Sequence, residues 1–444
     1  MPTVRRIHAA VAGGALALAV LGACHPPEAP SDLGLTLTSP RVAWSEGEVR
    51  VHGADLRGAL AQSARAPRLW VHDTLPLLTY RLDDTTLGGR LPALRAGTVP
   101  LALELDGVRH QFAPMQVAGF TDAFTLPGEV TWDLLPYHVG GHPAVIAVGG
   151  GPNAERRAGV YQLDTRTVTA FGPPVPWDVV RGPGVSYRPG VFLLKPVASD
   201  TVEAWTPWPT PRRVSTHPGV SFFRQLMELG PDTWFASSHH QFTVSSPAGP
   251  SFERAEETEG VHMSPRGDRA TIRVDYDEAG APVFDVPSGR LAYHVAGVRT
   301  VLGADFSPDG ELLALGGTPI AFDGPGRVTL VRAATGEVLR DTVFASQRLL
   351  FGLAFDPEQP LLYAGVTEVV GDSARPAVLV LRRDDLRPVA KLGVPADAPA
   401  CPVTCYKGVL IRSLGPALYV VAANGPLRVW RFALPADLAA VAAP

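Results

Sequence analysis

Four histidines and one acidic turn are the side chains whose types and spacing could support metal or acid–base chemistry in this chain. His138 and His142 lie four positions apart, and His239 is followed directly by His240. Imidazole pairs of this kind bind transition metals, and the acidic turn 275–278 offers the carboxylate oxygens that Ca²⁺ prefers. Exposed loops and a solvated hairpin explain the same residues without a ligand. We therefore predict no metal site and no catalytic residue, and we keep the four histidines as candidate binding residues.

Four tryptophans in the middle of the chain could form part of a surface for sugars or peptides. They are Trp177, Trp205, Trp208 and Trp234. Packing between repeated sheets is the alternative role, because large aromatic side chains supply much of the buried area of such cores. No P-loop, dinucleotide-binding glycine pattern or zinc-helix motif accompanies them. The sequence therefore indicates no cofactor.

The N-terminal residues indicate export. Arg5, Arg6 and the uncharged run 9–21 precede Gly22-Ala23-Cys24. A positive start and a short apolar run are typical of a signal peptide, and the run is too short to span a membrane as a helix. Leu21 completes a motif that resembles the lipobox of bacterial lipoproteins. That resemblance implies cleavage before Cys24 and a lipid anchor on the cysteine.

Residues 1–23 are therefore predicted to be a lipoprotein signal peptide, and residues 24–34 a Pro-rich, extended tether. The alternatives are an ordinary secretory signal with a coincidental cysteine and a twin-Arg export signal, for which Arg5-Arg6 lacks the surrounding pattern. No Asp follows Cys24, which by resemblance to enterobacterial lipoproteins implies the outer membrane, on its periplasmic or its surface face. Cys401 and Cys405 remain, and an even pair in an exported chain predicts a disulfide. Free thiols and half of a zinc site are the alternatives for this pair.

The composition limits both the fold class and the partners. Of 444 residues, 45 are Gly and 44 are Pro, while 46% are hydrophobic and 18% are charged. The chain is too apolar to be disordered, so the frequent turn residues predict an all-β fold of many short strands. A formal net charge of −4 indicates no basic surface of the kind that binds nucleic acid.

Residues 35–119 are predicted to form a small β-sandwich. Strand-like segments alternate with turns, and the segment 101–105 is followed by Asp106-Gly107, a favoured hairpin turn. About seven short strands in this length suggest an immunoglobulin-like sandwich. The stretches 49–56 and 91–101 resemble the TIG/IPT type of immunoglobulin-like domain. That resemblance implies a spacer or an adhesion-type module.

A repeated unit follows the predicted sandwich. Its clearest copy reads strand, turn, strand, with Phe306 directly before the turn Ser307-Pro308-Asp309-Gly310. Related copies centre on Phe355 and Met263, which lie 49 and 43 residues from Phe306. Periods of this length indicate propellers or solenoids. A third and a fourth strand-like segment follow each pair, and four strands are the content of a propeller blade.

The turn 307–310 and the later stretch 334–338 resemble those of WD-repeat-like and YVTN-type bacterial propellers. The copies predict seven blades over residues 120–435, with six or eight as alternatives, and a C-terminal tail at 436–444. The last copy lacks a fourth strand, which residues near 124–131 could supply from the other end of the ring. Such closure would remove an exposed sheet edge.

Together these features predict a lipid-anchored protein of the bacterial cell envelope whose propeller is a non-catalytic binding or scaffolding module. The expected partner is an envelope protein, a peptide or a glycan, and the N-terminal lipid provides the contact with the membrane. The alternative is a propeller enzyme, such as a lactonase-like hydrolase, with its site at the axial mouth. Membership of an envelope-assembly machine is a third hypothesis, which rests on fold analogy alone.

Overall fold

The computed structural model of the chain is all-β, as the composition predicts. Among its described residues the single helix is α1 (Leu56–Gln62), and no helix is long and apolar enough to cross a membrane. The described ranges are 34–37, 42–44, 48–92, 94–125, 130–139, 142–149, 156–162, 165–175, 184–186, 188, 191–194, 201–206, 210–218, 225–230, 233–237, 242–246, 249–254, 258–274, 277–288, 290–318, 325–344, 347–370, 373–393, 401–402, 409–414, 417–422 and 428–433.

Short strands and the helix α1 build the N-terminal region, residues 34–118. The strands are β1 (Thr36–Leu37), β2 (Val42–Trp44), β3 (Glu48–His52), β4 (Arg68–Val71), β5 (Leu75–Pro76), β6 (Leu78–Arg81), β7 (Thr86–Arg90), β8 (Gly97–Val99), β9 (Leu101–Leu105), β10 (Val108–Gln111) and β11 (Met115–Ala118). They form sheets of order β1-β3-β7-β6, β10-β9-β4-β5 and β2-β11-β8, and β2 runs parallel to β11. Buried side chains from all three sheets share one hydrophobic core.

The N-terminal region follows its sequence pattern in most places. Val49 and Val51 are buried while Arg50 between them is exposed, which is the period-two alternation of a half-buried strand. The predicted hairpin turn at Asp106-Gly107 joins β9 to β10, and both residues have a positive φ, 49° and 85°, as a type I′ turn requires. The region has more strands than the seven expected. The helix α1 is an element that the sequence pattern did not predict; it forms because Leu56 and Leu60 place apolar side chains on one helix face.

Among the described residues, the later strands form four-stranded antiparallel groups, called units 1 to 7; units 2 and 3 belong to one eight-stranded sheet, and the sheet of unit 6 has a fifth strand. The strand β12 (Phe120–Thr125) comes first in the chain but belongs to unit 7. Unit 1 is β13 (Val130–Val139), β14 (His142–Gly149), β15 (Arg156–Gln162) and β16 (Val168–Val175); unit 2 is β17 (Gly184–Ser186), β18 (Phe192–Leu194), β19 (Thr201–Thr206) and β20 (Arg212–Pro218); unit 3 is β21 (Gln225–Gly230), β22 (Thr233–Ser237), β23 (Phe242–Ser246) and β24 (Gly249–Arg254); unit 4 is β25 (Thr258–Met263), β26 (Arg269–Val274), β27 (Ala281–Asp285) and β28 (Arg290–Val295); unit 5 is β29 (Gly303–Phe306), β30 (Leu312–Gly317), β31 (Gly326–Arg332) and β32 (Val338–Phe344); unit 6 is β33 (Gln347–Phe355), β34 (Leu361–Val370), β35 (Ser373–Arg382) and β36 (Pro388–Gly393), with β37 (Cys401–Pro402) paired to β35; unit 7 is β38 (Val409–Leu414), β39 (Ala417–Ala422), β40 (Arg428–Ala433) and β12.

From unit 2 to unit 7, the first strands of neighbouring units lie side by side. The first strands of units 2 and 3, β17 and β21, pair in parallel. The first strand also contacts that of the next unit from β21 to β25, β25 to β29, β29 to β33 and β33 to β38. Units 1 and 2 meet through β16, which contacts β19 and β20, and β38 of unit 7 contacts β13 of unit 1. Each unit therefore contacts the next in chain order, and the seventh contacts the first.

The fourth strand of unit 7 comes from before unit 1. Strand β12 pairs antiparallel with β40, from Phe120 opposite Phe432 to Thr125 opposite Arg428. The sequence placed this strand near 124–131, and the observed strand begins four residues earlier. A single sheet thus contains both the first strand after the N-terminal region and the last described strand of the chain.

Candidate binding surface

The turn between the first and second strands, called the first turn, has the same backbone geometry in units 4, 5 and 6. It begins at Ser264, Ser307 or Asp356, whose backbone N–H donates to the carbonyl oxygen five residues later at 2.8, 3.0 and 3.0 Å. In units 4 and 5 the fourth turn residue, Gly267 or Gly310, donates back to the first at 2.8 and 2.7 Å and has a positive φ. Pro pre-sets the second position, and Gly accepts the positive φ. The predicted strand–turn–strand unit is confirmed here.

In unit 5 the side chains of a serine and an aspartate together stabilise the first turn. The Ser307 hydroxyl donates to the Asp309 carboxylate at 2.5 Å and accepts the backbone N–H of Leu312 at 2.9 Å. The Asp309 carboxylate also accepts the N–H of Glu311 at 3.0 Å. The hydrogen bond from Ser307, followed by that of Glu311, lowers the pKa of Asp309. The turn is therefore most stable with this carboxylate ionised.

In unit 6 one buried aspartate holds the corresponding turn. The Asp356 carboxylate accepts the backbone N–H groups of Glu358 and Gln359 at 2.8 and 2.7 Å. The fully buried Tyr363 donates its hydroxyl to the same carboxylate at 2.5 Å. Burial, and then the nearby Asp356 charge, raises the pKa of Tyr363. Sequence reasoning missed this pair; the only signal was an Asp in place of the Ser found in units 4 and 5.

A second turn, between the third and fourth strands, is tied to the first turn of the same unit. The backbone N–H of Val286, Ala333 or Arg383 donates to the carbonyl oxygen of the last first-turn residue at 3.0, 2.9 and 2.9 Å. Both turns therefore lie at one end of the sheet in each of these three units. We call this end the turn face, and it comprises residues 264–268, 286–288, 307–311, 333–337, 356–360 and 383–387.

Exposed charges cover the turn face. Arg266 of unit 4 forms an ion pair with Glu311 of unit 5 at 3.2 Å, so this contact crosses from one unit to the next. Within unit 6, Asp385 forms an ion pair with Arg382. The hydrogen bond from Arg382 is the main cause that lowers the pKa of Asp385 to about 2. Glu358, in the first turn of the same unit, is also exposed. The face presents guanidinium and carboxylate groups close together, which can exchange charge-assisted hydrogen bonds with a polar partner.

The predicted acidic turn lies at the opposite end of unit 4 and is structural in its described part. Asp277 is buried, and its carboxylate accepts the backbone N–H of Ala279 at 2.8 Å. The His294 Nε2 atom lies 3.7 Å from the same carboxylate. Glu278 is exposed, while residues 275 and 276 lie outside the described ranges. Among the described residues, no three His, Cys, Asp or Glu side chains converge on a possible metal position.

Most of the predicted site residues lie where the structure describes only the backbone or nothing. His138 and His142 occupy the hairpin of β13 and β14, where the register pairs His138 with Pro143 and Val139 with His142. Cys401 lies in β37, opposite Ala374. Cys24, Cys405, His239 and His240 lie outside the described residues. The lipidation, the disulfide and the histidine binding roles therefore stay predictions.

One of the four tryptophans has a described side chain. Trp205 is half-buried, and its indole N–H donates to the Glu203 carboxylate at 2.9 Å. Arg213 donates to the other oxygen of that carboxylate at 2.9 Å, which fixes the Trp205 ring against β20. Trp234 lies in β22, and Trp177 and Trp208 fall outside the described ranges.

A second unpredicted polar link joins units 2 and 3. Glu228 in β21 is buried, and its carboxylate accepts hydrogen bonds from the Arg188 guanidinium, the shortest at 2.9 Å. Arg188 also donates to the Ser215 hydroxyl at 3.3 Å. A buried carboxylate is costly unless a charge is paired with it, so this ion pair helps to set how the two units meet. Its partners lie forty residues apart, too far for a local pattern to indicate.

Comparison with known proteins gives similarity of structure only. No protein-family model and no curated protein sequence matches the chain. A chain of the mitotic checkpoint complex is 14% identical, covers 70% of this chain with 91% of its own length, and gives a TM-score of 0.49. The Cps50 (Swd1) beta-propeller domain of Myceliophteria thermophila is 11% identical, with 72% and 100% covered and a TM-score of 0.48. Chaetomium thermophilum Sqt1, bound to the N-terminus of ribosomal protein L10, is 13% identical, with 67% and 95% covered and a TM-score of 0.43.

Proposed function

We propose that this chain is a lipid-anchored protein of the bacterial cell envelope whose units 1 to 7 form a closed seven-bladed β-propeller. The propeller acts as a non-catalytic binding or scaffolding module for an envelope protein, a peptide or a glycan. The observation that carries the proposal is the cyclic order of contacts, in which each four-stranded unit touches the next and unit 7 touches unit 1. First strands that lie side by side, one of them paired in parallel with its neighbour, support a common central axis.

The N-terminal region is, in this proposal, an immunoglobulin-like sandwich of the TIG/IPT type. Its sheet order β1-β3-β7-β6 corresponds to the A-B-E-D order of immunoglobulin constant-type domains. The order β4-β9-β10 in the second sheet corresponds to C-F-G, with β5 as an added edge strand. The helix α1 and the small third sheet are additions to that plan.

The turn face is the part of the propeller that we propose binds the partner. Its first turns repeat around the axis, and each presents an exposed Pro beside a charged residue, as in Pro265-Arg266 and Pro308-Asp309. The buried Ser or Asp of each turn fixes the backbone beneath, so that the charges stand on a rigid support. Preorganised polar groups lose little conformational entropy when they bind.

The binding role is tested by exchanging the charges of one ion pair on the turn face. In the double variant Arg266→Glu, Glu311→Arg the pair is retained but its polarity is inverted, so folding should be unaffected. Recovery of the partner from a membrane-protein extract, quantified against the unchanged chain, should fall by about tenfold if two charge-assisted contacts are lost. The matched control is Arg340→Glu, an exposed change on β32 away from this face. Equal recovery by all three proteins would contradict a binding role for the turn face.

The anchor is tested separately by Cys24→Ala. This chain should lose its lipid and leave the membrane fraction, because stable anchoring needs the acyl chains. Unchanged fractionation would contradict the anchor and leave the propeller proposal standing. The non-catalytic role is tested by metal analysis and a hydrolase substrate screen on the purified chain; a stoichiometric metal together with turnover would contradict it.

A further inference from the structure

The chain passes from the N-terminal region into unit 7 with no linker between them. Strand β11 ends at Ala118 in the sheet with β2 and β8, and β12 begins at Phe120 in the sheet with β40. Only Gly119 separates the two. Two domains joined by a flexible connection usually have several polar, Gly- or Pro-rich residues between them. The single residue at this junction is too short to be such a connection.

Residues 94–96 brace the junction from within the N-terminal region. The backbone N–H of Ala96 donates to the Phe120 carbonyl at 3.1 Å, and Arg95 forms a parallel β-bridge with Phe120. The Arg95 guanidinium also lies 5.8 Å from the centroid of the Phe120 ring, within the range of a cation–π contact. A side chain at Gly119 would overlap the carbonyl oxygen of Leu94. The backbone at this point is therefore packed too closely to act as a hinge.

The two regions also share a hydrophobic core. Ala118 and Phe120 pack in one cluster with Leu392 of unit 6 and with Leu418 and Phe432 of unit 7. All of these but Phe120 are buried. The strand β2 of the N-terminal region contacts β36, the fourth strand of unit 6. The N-terminal region thus covers the outermost strand of one unit and continues directly into the outermost strand of the next.

We propose that the N-terminal region is a fixed brace of the ring and that units 6 and 7 depend on it. This inference rests on the proposed ring closure, because the N-terminal region can brace the ring through β12 only if β12 completes unit 7. The region then does not move as a spacer on a flexible connection, which is the role its sequence resemblance implied. A partner bound at the turn face is consequently held at one orientation relative to the N-terminal end of the chain.

The brace is tested by measuring the distance between the two regions in solution. Nitroxide labels are placed at Val108→Cys in β10 and Val338→Cys in β32, both exposed in the structure, in a chain whose three cysteines are replaced by Ser. Double electron–electron resonance should give one narrow distance distribution. A companion chain carries about eight Gly and Ser residues inserted after Gly119, which act as a flexible linker and should broaden the distribution. Labels at Val338 and Glu358, both within the ring, are the control and should stay narrow in both chains.

A broad distribution in the chain of natural length would overturn the brace. So would an insertion that leaves the distribution as narrow as before with no loss of thermal stability. Failure of ring closure has a different signature, which is the lack of a disulfide between Asp122→Cys and Arg431→Cys. A narrow distribution without that disulfide would support the contact of β2 with β36 and contradict closure. A broad distribution with the disulfide would support closure and contradict the brace.

Discussion

Units 5 and 6 have the same four strands and the same two turns, yet different side chains hold each turn. In unit 5 the Ser307 hydroxyl and the Asp309 carboxylate together stabilise the first turn. In unit 6 the Asp356 carboxylate alone accepts hydrogen bonds from two backbone N–H groups of the turn and from the Tyr363 hydroxyl. The residue that corresponds to Tyr363 in unit 5 is Ala314. The shared feature is the backbone pattern, and each unit satisfies it with whichever polar groups its own core can accommodate.

The second turns differ in the same way. Gly336 of unit 5 and Leu386 of unit 6 occupy the same position, and both have a positive φ, 75° and 57°. In unit 5 the ring of Tyr293 from the preceding unit fills the space where a side chain would lie. The residue that corresponds to Tyr293 one unit later is Arg340, which is exposed, so Leu386 has room to pack in the core. A neighbouring unit therefore decides which residue a turn can carry.

The outermost strands show the largest difference between the two units. Thr342 of β32 is half-buried and its neighbours Asp341 and Val343 are exposed. Leu392, at the same position in β36, is 1% exposed and packs with Ala118 of the N-terminal region. The difference arises because the N-terminal region covers β36 of unit 6. Repeat position alone does not determine burial in these units.

The largest expected effect follows from that third difference. Leu392→Ala should lower the free energy of unfolding by about 2–5 kcal/mol, since it leaves a cavity in the core shared with the N-terminal region. Thr342→Ala at the same position in unit 5 should cost less than about 1 kcal/mol. Urea denaturation of both variants checks the pair, and equal losses would mean that the N-terminal region does not cover β36.

The next effect concerns the position shared by Gly336 and Leu386. Gly336→Ala should cost about 2 kcal/mol or more, because an alanine at φ 75° is strained and its Cβ would lie 2.5 Å from the Tyr293 ring. Gly267→Ala is the matched control, with φ 68° and no atom within 4 Å of the new Cβ. It should cost only the backbone strain, about 1 kcal/mol. Thermal unfolding that ranks the control as the more damaging change would contradict the packing of Tyr293 against unit 5.

Removing the buried hydroxyl of unit 6 should have a smaller effect. Tyr363→Phe deprives the Asp356 carboxylate of one partner and should cost about 1–3 kcal/mol. Tyr293→Phe, whose hydroxyl donates to the neutral Ala333 carbonyl, should cost about 1 kcal/mol. A double-mutant cycle with Asp356→Asn separates the pair energy from the packing of the ring, and a coupling energy near zero would argue against the pair.

The same two tyrosines predict how stability depends on pH. Burial raises the pKa of Tyr293 to about 12 and also raises that of Tyr363, from an ordinary value of 10.0. Above pH 10.0 the tyrosines of the unfolded chain lose their phenolic protons, while those of the folded chain keep them. The free energy of unfolding should therefore fall as the pH rises from 10.0. The Tyr293 contribution should continue to about pH 12. The double Phe variant should lose stability less steeply over this window, and an unchanged slope would contradict the burial of both rings.

The smallest expected effect is on the surface pair that links units 4 and 5. Glu311→Gln removes the ion pair with Arg266, in which both side chains are more than half exposed. Exposed pairs of this kind contribute about 0–1 kcal/mol, so the free energy of unfolding should change little, and less still at high salt. A loss as large as that of Tyr363→Phe would mean that the turn face is held together by its charges.

Local patterns in the sequence predict the repeated backbone well. Ser307-Pro308-Asp309-Gly310 forms the predicted turn, and the strand 101–105 has the predicted bounds. These succeed because proline, glycine and alternating apolar residues act through nearest neighbours along the chain. The helix α1 was missed because its apolar residues are few and follow a turn-like Gly53-Ala54-Asp55.

Contacts between distant parts of the chain could not be predicted in the same way. No local pattern shows that Arg188 reaches Glu228 or that β2 covers β36. Each of these depends on how units pack against one another, which a single sequence does not reveal. The turn face likewise becomes visible only when the first and second turns are seen to lie at one end of the sheets.

The proposed closure of the ring is tested most directly by a disulfide between β12 and β40. Asp122 and Arg431 are register partners between β12 and β40, and the Cα atoms of such partners lie about 4.5–5.5 Å apart, within the range that a disulfide bridges. In a chain whose native cysteines are replaced by Ser, Asp122→Cys with Arg431→Cys should oxidise to an intramolecular disulfide that changes mobility on a non-reducing gel. Asp122→Cys with Arg428→Cys, about 10 Å away along the strand, should not. A free thiol pair in the first variant, or equal oxidation of both, would contradict a ring closed by β12.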